Sequence, residues 1–196
     1  MDMQLVLYAI AALSLYQSGV IPGGGYQPEI SGILYHKLRD DLVECKPEQL
    51  SEVDAMARRS LRMDGLIVLE DTEDAASEAL EMDHTLLETD GSEFLKLSLK
   101  SDKKGINQNR SKVTTKSRFA RLMDYVKKSI IDLDEKIYDG EIRICPGVQG
   151  TQSPCSYCSY REICLYDKSL DGQDKLIGDE KEAWHKIEEI GEEGNV

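Results

Sequence analysis

Three of the chain's five cysteines fall within ten residues, Cys155-Ser-Tyr-Cys158-Ser-Tyr-Arg-Glu-Ile-Cys164, directly after Pro154. No apolar pattern in the chain constrains the fold as tightly. Two thiolates separated by two residues can point at one metal from a single turn, and a third six positions on can close around it. Three thiolates still leave a tetrahedral or cubane site one ligand short. Two disulfides with one free thiol, or buried inert cysteines, are the alternatives. The odd count and the lack of a convincing export signal weigh against disulfides.

The 196 residues suffice for one domain or one and a half. With 40% hydrophobic and 31% charged residues, the composition is that of a soluble globular chain. A net charge of −13 argues against a nucleic-acid partner, since phosphate repels an acidic surface. The charge is uneven, however. Between Lys96 and Lys128 eleven Lys and Arg face two acids, Asp102 and Asp124, a local +9 that leaves −22 for the remainder. Such a band is a candidate phosphate-contacting surface, with Lys103, Lys104, Arg110, Lys112 and Lys116 as its contacts. A solvated loop and helix face would carry the same charges.

Leu5 to Leu15 is almost entirely apolar and has the look of a signal-peptide core. It lacks a preceding Lys or Arg and a small-residue cleavage pattern, and it carries Asp2 and Gln4. About a dozen residues are too few to cross a bilayer. A buried core helix is therefore expected, one needing partners on every side, so the chain is expected to begin inside a domain.

The expected elements alternate. Met3 to Gln17 reads as a helix stopped by Gly19 and the Pro22-Gly-Gly-Gly25 loop. Ile30 to Leu38 reads as a strand, Glu48 to Leu61 as an amphipathic helix after Pro47, and Leu66 to Leu69 as a short strand. Thr72 to Leu80 is an expected helix with Thr72 as N-cap, and Phe94 to Leu99 an expected strand. After the basic loop Ser101 to Ser111, the spacing gives a long helix from Ser117 to Tyr138. Its inner face would be Phe119, Leu122, Val126, Ile130, Leu133 and Ile137. Gly140 ends it, Glu141 to Cys145 reads as a final strand, and Glu180 to Ile190 as a helix around Trp184. The expected division is 1–165, including the cysteine cluster, and an acidic, partly helical tail over 166–196.

Gln4 and Tyr8 stand four residues apart and so share one face of the first helix. They give an otherwise apolar helix a polar stripe, either ligand-facing or a plain core edge. Together with later motifs the pair resembles a known family. Those motifs are Gly32-Ile-Leu-Tyr-His36, Met63-Asp-Gly-Leu66, Gly140-Glu-Ile-Arg-Ile144 and the block from Pro154 to Cys164. In this order they resemble the C-terminal nuclease domains of the AddB type, from bacterial AddAB helicase–nucleases. The resemblance runs from Gln4 to about Trp184, and the cysteine block is its specific part.

The resemblance implies the C-terminal part of a RecB-like PD-(D/E)XK nuclease domain, an α/β fold incomplete at its N-terminus. It implies accessory catalytic roles for Gln4 and Tyr8, and ligation of a [4Fe–4S] cluster by Cys155, Cys158 and Cys164. The fourth cysteine, and the carboxylates that hold Mg²⁺, would lie outside this chain. It further implies an ATP-dependent 5′–3′ exonuclease in the intact protein, acting on DNA ends in double-strand break repair. The partner would be an AddA-like subunit in a heterodimer, in the cytoplasm and without a membrane. A noncatalytic zinc- or iron–sulfur-bearing DNA-binding or interaction module is the alternative.

Other residues offer less. Glu29, Glu44 and Lys46 imitate a carboxylate–lysine metal site, but Glu44 to Lys46 sits in a charged stretch without strand character. His36, His84 and His185 have no ligand-like spacing. Cys145 reads as a buried strand cysteine or a fourth local ligand, and Cys45 has no partner in the sequence.

Overall fold

A computed structural model describes residues 3–22, 27–38, 42–70, 74–88, 91–148, 152–167, 175–176 and 178–192. It is mixed α/β, in two compact units, Met1–Met123 and Asp124–Val196.

In the first unit, helix α1 spans Met3–Gln17, the span expected from its apolar run. Its end is set locally. Gly19 is left-handed at φ 74°, the Val20 amide reaches back to the Leu15 carbonyl, and the Gly19 amide to that of Tyr16. This is a Schellman closure that favours glycine. Burial departs from expectation, for only Val6 and Ala9 are buried on α1, while Met3, Leu7, Tyr8 and Leu15 are exposed. Apolar composition on all sides is a demand for partners, and among the described residues α1 packs chiefly against β1.

Strands β1 (Gly32–Tyr35), β2 (Asp64–Val68) and β3 (Val113–Thr114) form one sheet in that order. The β1/β2 pair is antiparallel, with Leu34 opposite Gly65, and β2/β3 is parallel, with Ile67 opposite Val113. Gly65 has a steric reason within Met63-Asp-Gly-Leu66. A Cβ there would land on the Ile33 carbonyl oxygen and lie 2.8 Å from the Leu34 Cα, so the close approach of β1 requires glycine.

Between β1 and β2, residues Pro47–Glu52 form a 3₁₀ turn that runs into helix α2, Val53–Ser60. The expected single helix is thus split. Helix α3 spans Ala75–Met82, and its expected N-cap, Thr72, lies outside the described residues, as do Gly23 to Gly25 of the first loop. Ala75, Ala76 and Ala79 give α3 a small-residue face, buried in one cluster with Ile67, Leu69, Leu86, Leu95, Leu97, Leu99 and Ile106. This is the core of the unit.

Phe94 to Leu99 is not a strand. It makes only two isolated bridges, Met63 with Leu95 and Leu99 with Ile106. Side-chain hydroxyls take three of its amides instead. Ser92 Oγ accepts from the Leu95 and Phe94 amides at 2.7 and 3.1 Å, and Ser111 Oγ accepts from the Ser98 amide at 2.9 Å. The two-residue alternation survives as burial of Leu95, Leu97 and Leu99.

Helix α4, Lys116–Tyr138, passes from the first unit into the second and ends at Gly140, with φ 74° and the same Schellman pattern. Phe119, Leu122 and Val126 are buried as expected, but Leu133 is exposed and Ile137 is 75% exposed. The expected inner face thus holds only over the first half. Residues Glu141 to Cys145 form no strand, and Ile142 is 91% exposed. An alternating segment becomes a strand only where another backbone pairs with it, and none among the described residues does so.

The second unit is otherwise slight. Strands β4 (Gly147–Val148) and β5 (Lys175–Leu176) pair in parallel, α5 is a single turn, Arg161–Cys164, and α6 spans Glu180–Glu192. Among the described residues, its buried apolar side chains are Val126, Val148 and Ile187.

Candidate functional site

The cysteines sit on consecutive tight turns. Ser153 accepts the Cys155 amide through its Oγ at 3.3 Å and the Ser156 hydroxyl through its carbonyl at 2.7 Å, which fixes the 3₁₀ turn Pro154–Ser156. The Cys158 carbonyl accepts from the Arg161 amide, opening the turn of α5. Cys164 closes α5, its amide donating to the Tyr160 carbonyl at 2.8 Å, and left-handed Leu165 ends the helix. None of the five cysteines is disulfide-bonded. Cys45 and Cys155 are half-buried, and Cys158 and Cys164 are exposed. Cys145, read as a buried strand residue, is exposed as well, and its segment joins no strand pair among the described residues.

Among the described residues, no group of three or more His, Cys, Asp or Glu side chains is gathered as a metal site. The donor set nonetheless suits a thiophilic metal or cluster. Cys155, Cys158 and Cys164 offer three soft sulfurs from consecutive backbone turns.

Gln4 and Tyr8 do come together. The Gln4 Nε2 donates to the Tyr8 hydroxyl at 2.6 Å on an exposed face of α1, with Tyr8 61% exposed. The hydroxyl keeps its own proton for a further acceptor.

The basic band is more engaged than its charge count suggests. Asp64 accepts from Lys112 at 2.8 Å and from Lys96 at 2.6 Å. Those two hydrogen bonds, Lys112 first, hold its carboxyl at about 2 rather than the ordinary 3.8. Lys116 pairs with Glu29 at 2.7 Å and with Glu70 at 3.6 Å, and the hydrogen bond to Glu29 raises its pKa. Glu29 is thus half of an ion pair with Lys116. Lys103 Nζ donates to the Leu87 carbonyl at 2.6 Å, while Arg110 lines a cleft. His185 pairs with Glu189 at 3.4 Å, one turn along α6.

That cleft adds three residues that the band between Lys96 and Lys128 does not contain, Arg58, Arg59 and Arg62. Their signal was present in the sequence as Arg58-Arg59-Ser-Leu-Arg62, at helical spacing, but separated from the basic band by more than thirty residues. Asp83, whose charge reaches Arg62, is buried and organises the connection that follows α3. It accepts from the Thr85 amide at 2.9 Å, the Thr85 hydroxyl at 2.8 Å and the Ser92 hydroxyl. Burial pushes the Asp83 carboxyl up, but the hydrogen bonds from Ser92 and Thr85 outweigh it and leave the pKa lowered.

The mixed α/β unit with its cysteine-bearing companion has clear relatives in sequence, although no family model matches the chain. It is homologous to a segment of proteins named as the B subunit of an ATP-dependent helicase/deoxyribonuclease. It is 31% identical to the protein of that name from Clostridium kluyveri over 193 residues, 95% of this chain and 16% of the relative. It is 32% identical to that of Clostridium acetobutylicum over 203 residues, and 28% identical to that of Bacillus anthracis over 196 residues. These two matches cover 99% and 97% of this chain and 16% of each relative. The chain therefore spans about one-sixth of the length of the curated relatives it matches. No helix among the described residues is long and apolar enough to cross a membrane.

Proposed function

We propose that this chain is the C-terminal nuclease segment of an AddB-type protein, a RecB-like PD-(D/E)XK domain working within an ATP-dependent helicase–nuclease on DNA ends in double-strand break repair. The match to helicase/deoxyribonuclease relatives over 95–100% of the chain carries this reading. In the whole protein the reaction is 5′–3′ hydrolysis of phosphodiester bonds, with an AddA-like partner and DNA in the cytoplasm. Mg²⁺, when bound by the carboxylates of the longer protein, supplies the activated water and offsets charge on the phosphate. Gln4 and Tyr8 then present a hydroxyl and an amide to the strand being cut. Cys155, Cys158 and Cys164 supply three of the four ligands of a [4Fe–4S] cluster, which ties the segment in place as structural metals do. With one ligand missing, the 196-residue chain alone holds a cluster weakly. Lys103, Lys104, Arg110, Lys112 and Lys116 meet the DNA backbone. The Asp64 and Glu29 partners of Lys112 and Lys116 keep those two in place until phosphate competes.

The test is made in the full-length protein with its partner. Gln4→Ala and Tyr8→Phe should each lower exonuclease turnover about tenfold or more, in line with the loss of one positioned polar group. Alanine at Cys158 should release iron and lower the melting temperature. Unchanged turnover in both helix variants, with iron retained in Cys158→Ala, would overturn the reading. The 196-residue chain alone should not cut linear DNA. If it does, and Glu29→Gln or Lys46→Ala stops it, the chain carries a site of its own.

A further inference from the structure

The first unit contains a cleft of about 940 Å³, a volume in the range that encloses small ligands. Arg58, Arg59 and Arg62 enter it from the C-terminal end of α2 and just beyond, and Arg110 from the loop before β3. Glu88 and Glu93 are the acids on its lining. Among the described residues, no salt bridge engages any of the four guanidinium groups.

Cations at a helix C-terminus answer the helix dipole, and that alone accounts for Arg58 and Arg59. It does not account for Arg62 or Arg110, which lie off the helix and line the same cleft. Arg62 is half-buried, and its Nε is hidden from solvent with no hydrogen-bond partner. Buried donors are seldom left unanswered. Burial, and next the neighbouring charge of Arg59, lower the proton affinity of Arg62, and the charges of Glu93 and Asp83 offset this only in part, which leaves room for a further anion. A guanidinium matches the paired oxygens of a phosphate better than any other side chain does.

We propose that this cleft binds the phosphodiester backbone of a DNA strand through Arg58, Arg59, Arg62 and Arg110. The inference rests on the reading that the chain works on DNA, and it places the principal phosphate contact at α2 rather than on the lysines of the loop. Glu88 and Glu93 oppose the phosphates and keep the binding reversible.

The experiment is fluorescence anisotropy of the 196-residue chain with labelled dT20 across a salt series, with ATP as a competing source of phosphate. Arg58 and Arg110 are exposed, so R58Q/R110Q should keep the fold, which a thermal melt verifies. This variant should bind about tenfold more weakly at low salt, and its log–log salt slope should fall by about 1.4, or 0.7 for each single-strand phosphate contact. R62Q should weaken binding, R62K should recover part of it, and E93Q should tighten it. If R58Q/R110Q leaves affinity and slope unchanged while K103Q/K104Q lowers both, the cleft is overturned and the DNA-processing reading stands. If the wild-type chain binds ATP through these arginines but not dT20, the strand assignment is overturned. Absence of any dT20 binding at low salt overturns both.

Discussion

The two units answer the same problem of stability in different ways. In Met1–Met123, buried side chains from β2, α3 and the segment after it close one continuous apolar cluster, and a buried carboxylate, Asp83, ties down the loop beside it. In Asp124–Val196, the described residues bury three apolar side chains. Tyr157, Tyr160, Ile163 and Leu165 around the thiols are exposed, Ile163 by 81%. The packing of these described residues offsets little of their backbone entropy. It is also the segment with three thiols, to which the proposed function gives a metal. If the thiols hold a metal as proposed, the cysteines and the sparse core of the described residues have one explanation, since small units short of a core take a metal as a staple.

The sharpest way to break that contrast is a pair of truncations. Leu97 is 1% exposed within the cluster, so Leu97→Ala should cost about 3 kcal/mol through lost burial and the cavity left behind. For a chain of this length that is about 6 to 12 °C in melting temperature. Ile163→Ala should cost less than about 0.5 kcal/mol in the metal-free chain. Equal losses, measured by calorimetry, would erase the difference between the units.

Asp83→Ala is expected next in size, at about 2 kcal/mol, because the hydroxyls of Ser92 and Thr85 lose their acceptor in a buried place. Asp83→Asn should retain part of the stability, and a silent Asp83→Ala would show that the loop is held by its leucines alone.

The smallest effect is a pH dependence. The folded pKa of Asp64, about 2, lies below the ordinary 3.8. Its pairing with Lys112 and Lys96 therefore stabilises the fold fully above about pH 4, and that contribution is lost as the pH falls toward 2. The ion pairs are well exposed, so the contribution stays under about 1 kcal/mol. Melting curves should show Asp64→Asn less stable than wild type at pH 6, with the gap closing by pH 2. A gap that persists at pH 2 would assign the effect to packing.

What could be read in advance depended on how local its cause was. The ends of α1 and α4 follow from Gly19 and Gly140, whose closures involve only the last turn of each helix. The Gln4–Tyr8 pair follows from helical spacing alone. Phe94 to Leu99 was misread because its amides are taken by Ser92 and Ser111, the second of which lies thirteen residues from Ser98. An apolar helix signals that partners are needed, not that they lie in the same chain, and α1 exposes much of what it was expected to bury. The basic band was legible as charge but not as ion pairs with Asp64 and Glu29, residues far away in sequence. The arginine cleft was not legible, because it joins residues about fifty positions apart.

Hydrogen exchange followed peptide by peptide, before and after anaerobic loading with ferrous iron, sulfide and excess small thiol, tests the contrast most directly. The account expects amides from Ile67 to Leu69 and from Leu97 to Leu99 to exchange slowly in both states. Arg161 to Leu165 should exchange nearly freely at first and become protected on loading, with Cys158→Ser abolishing the gain. Equal protection of the two regions before loading, no gain afterwards, or a gain that survives Cys158→Ser would contradict it.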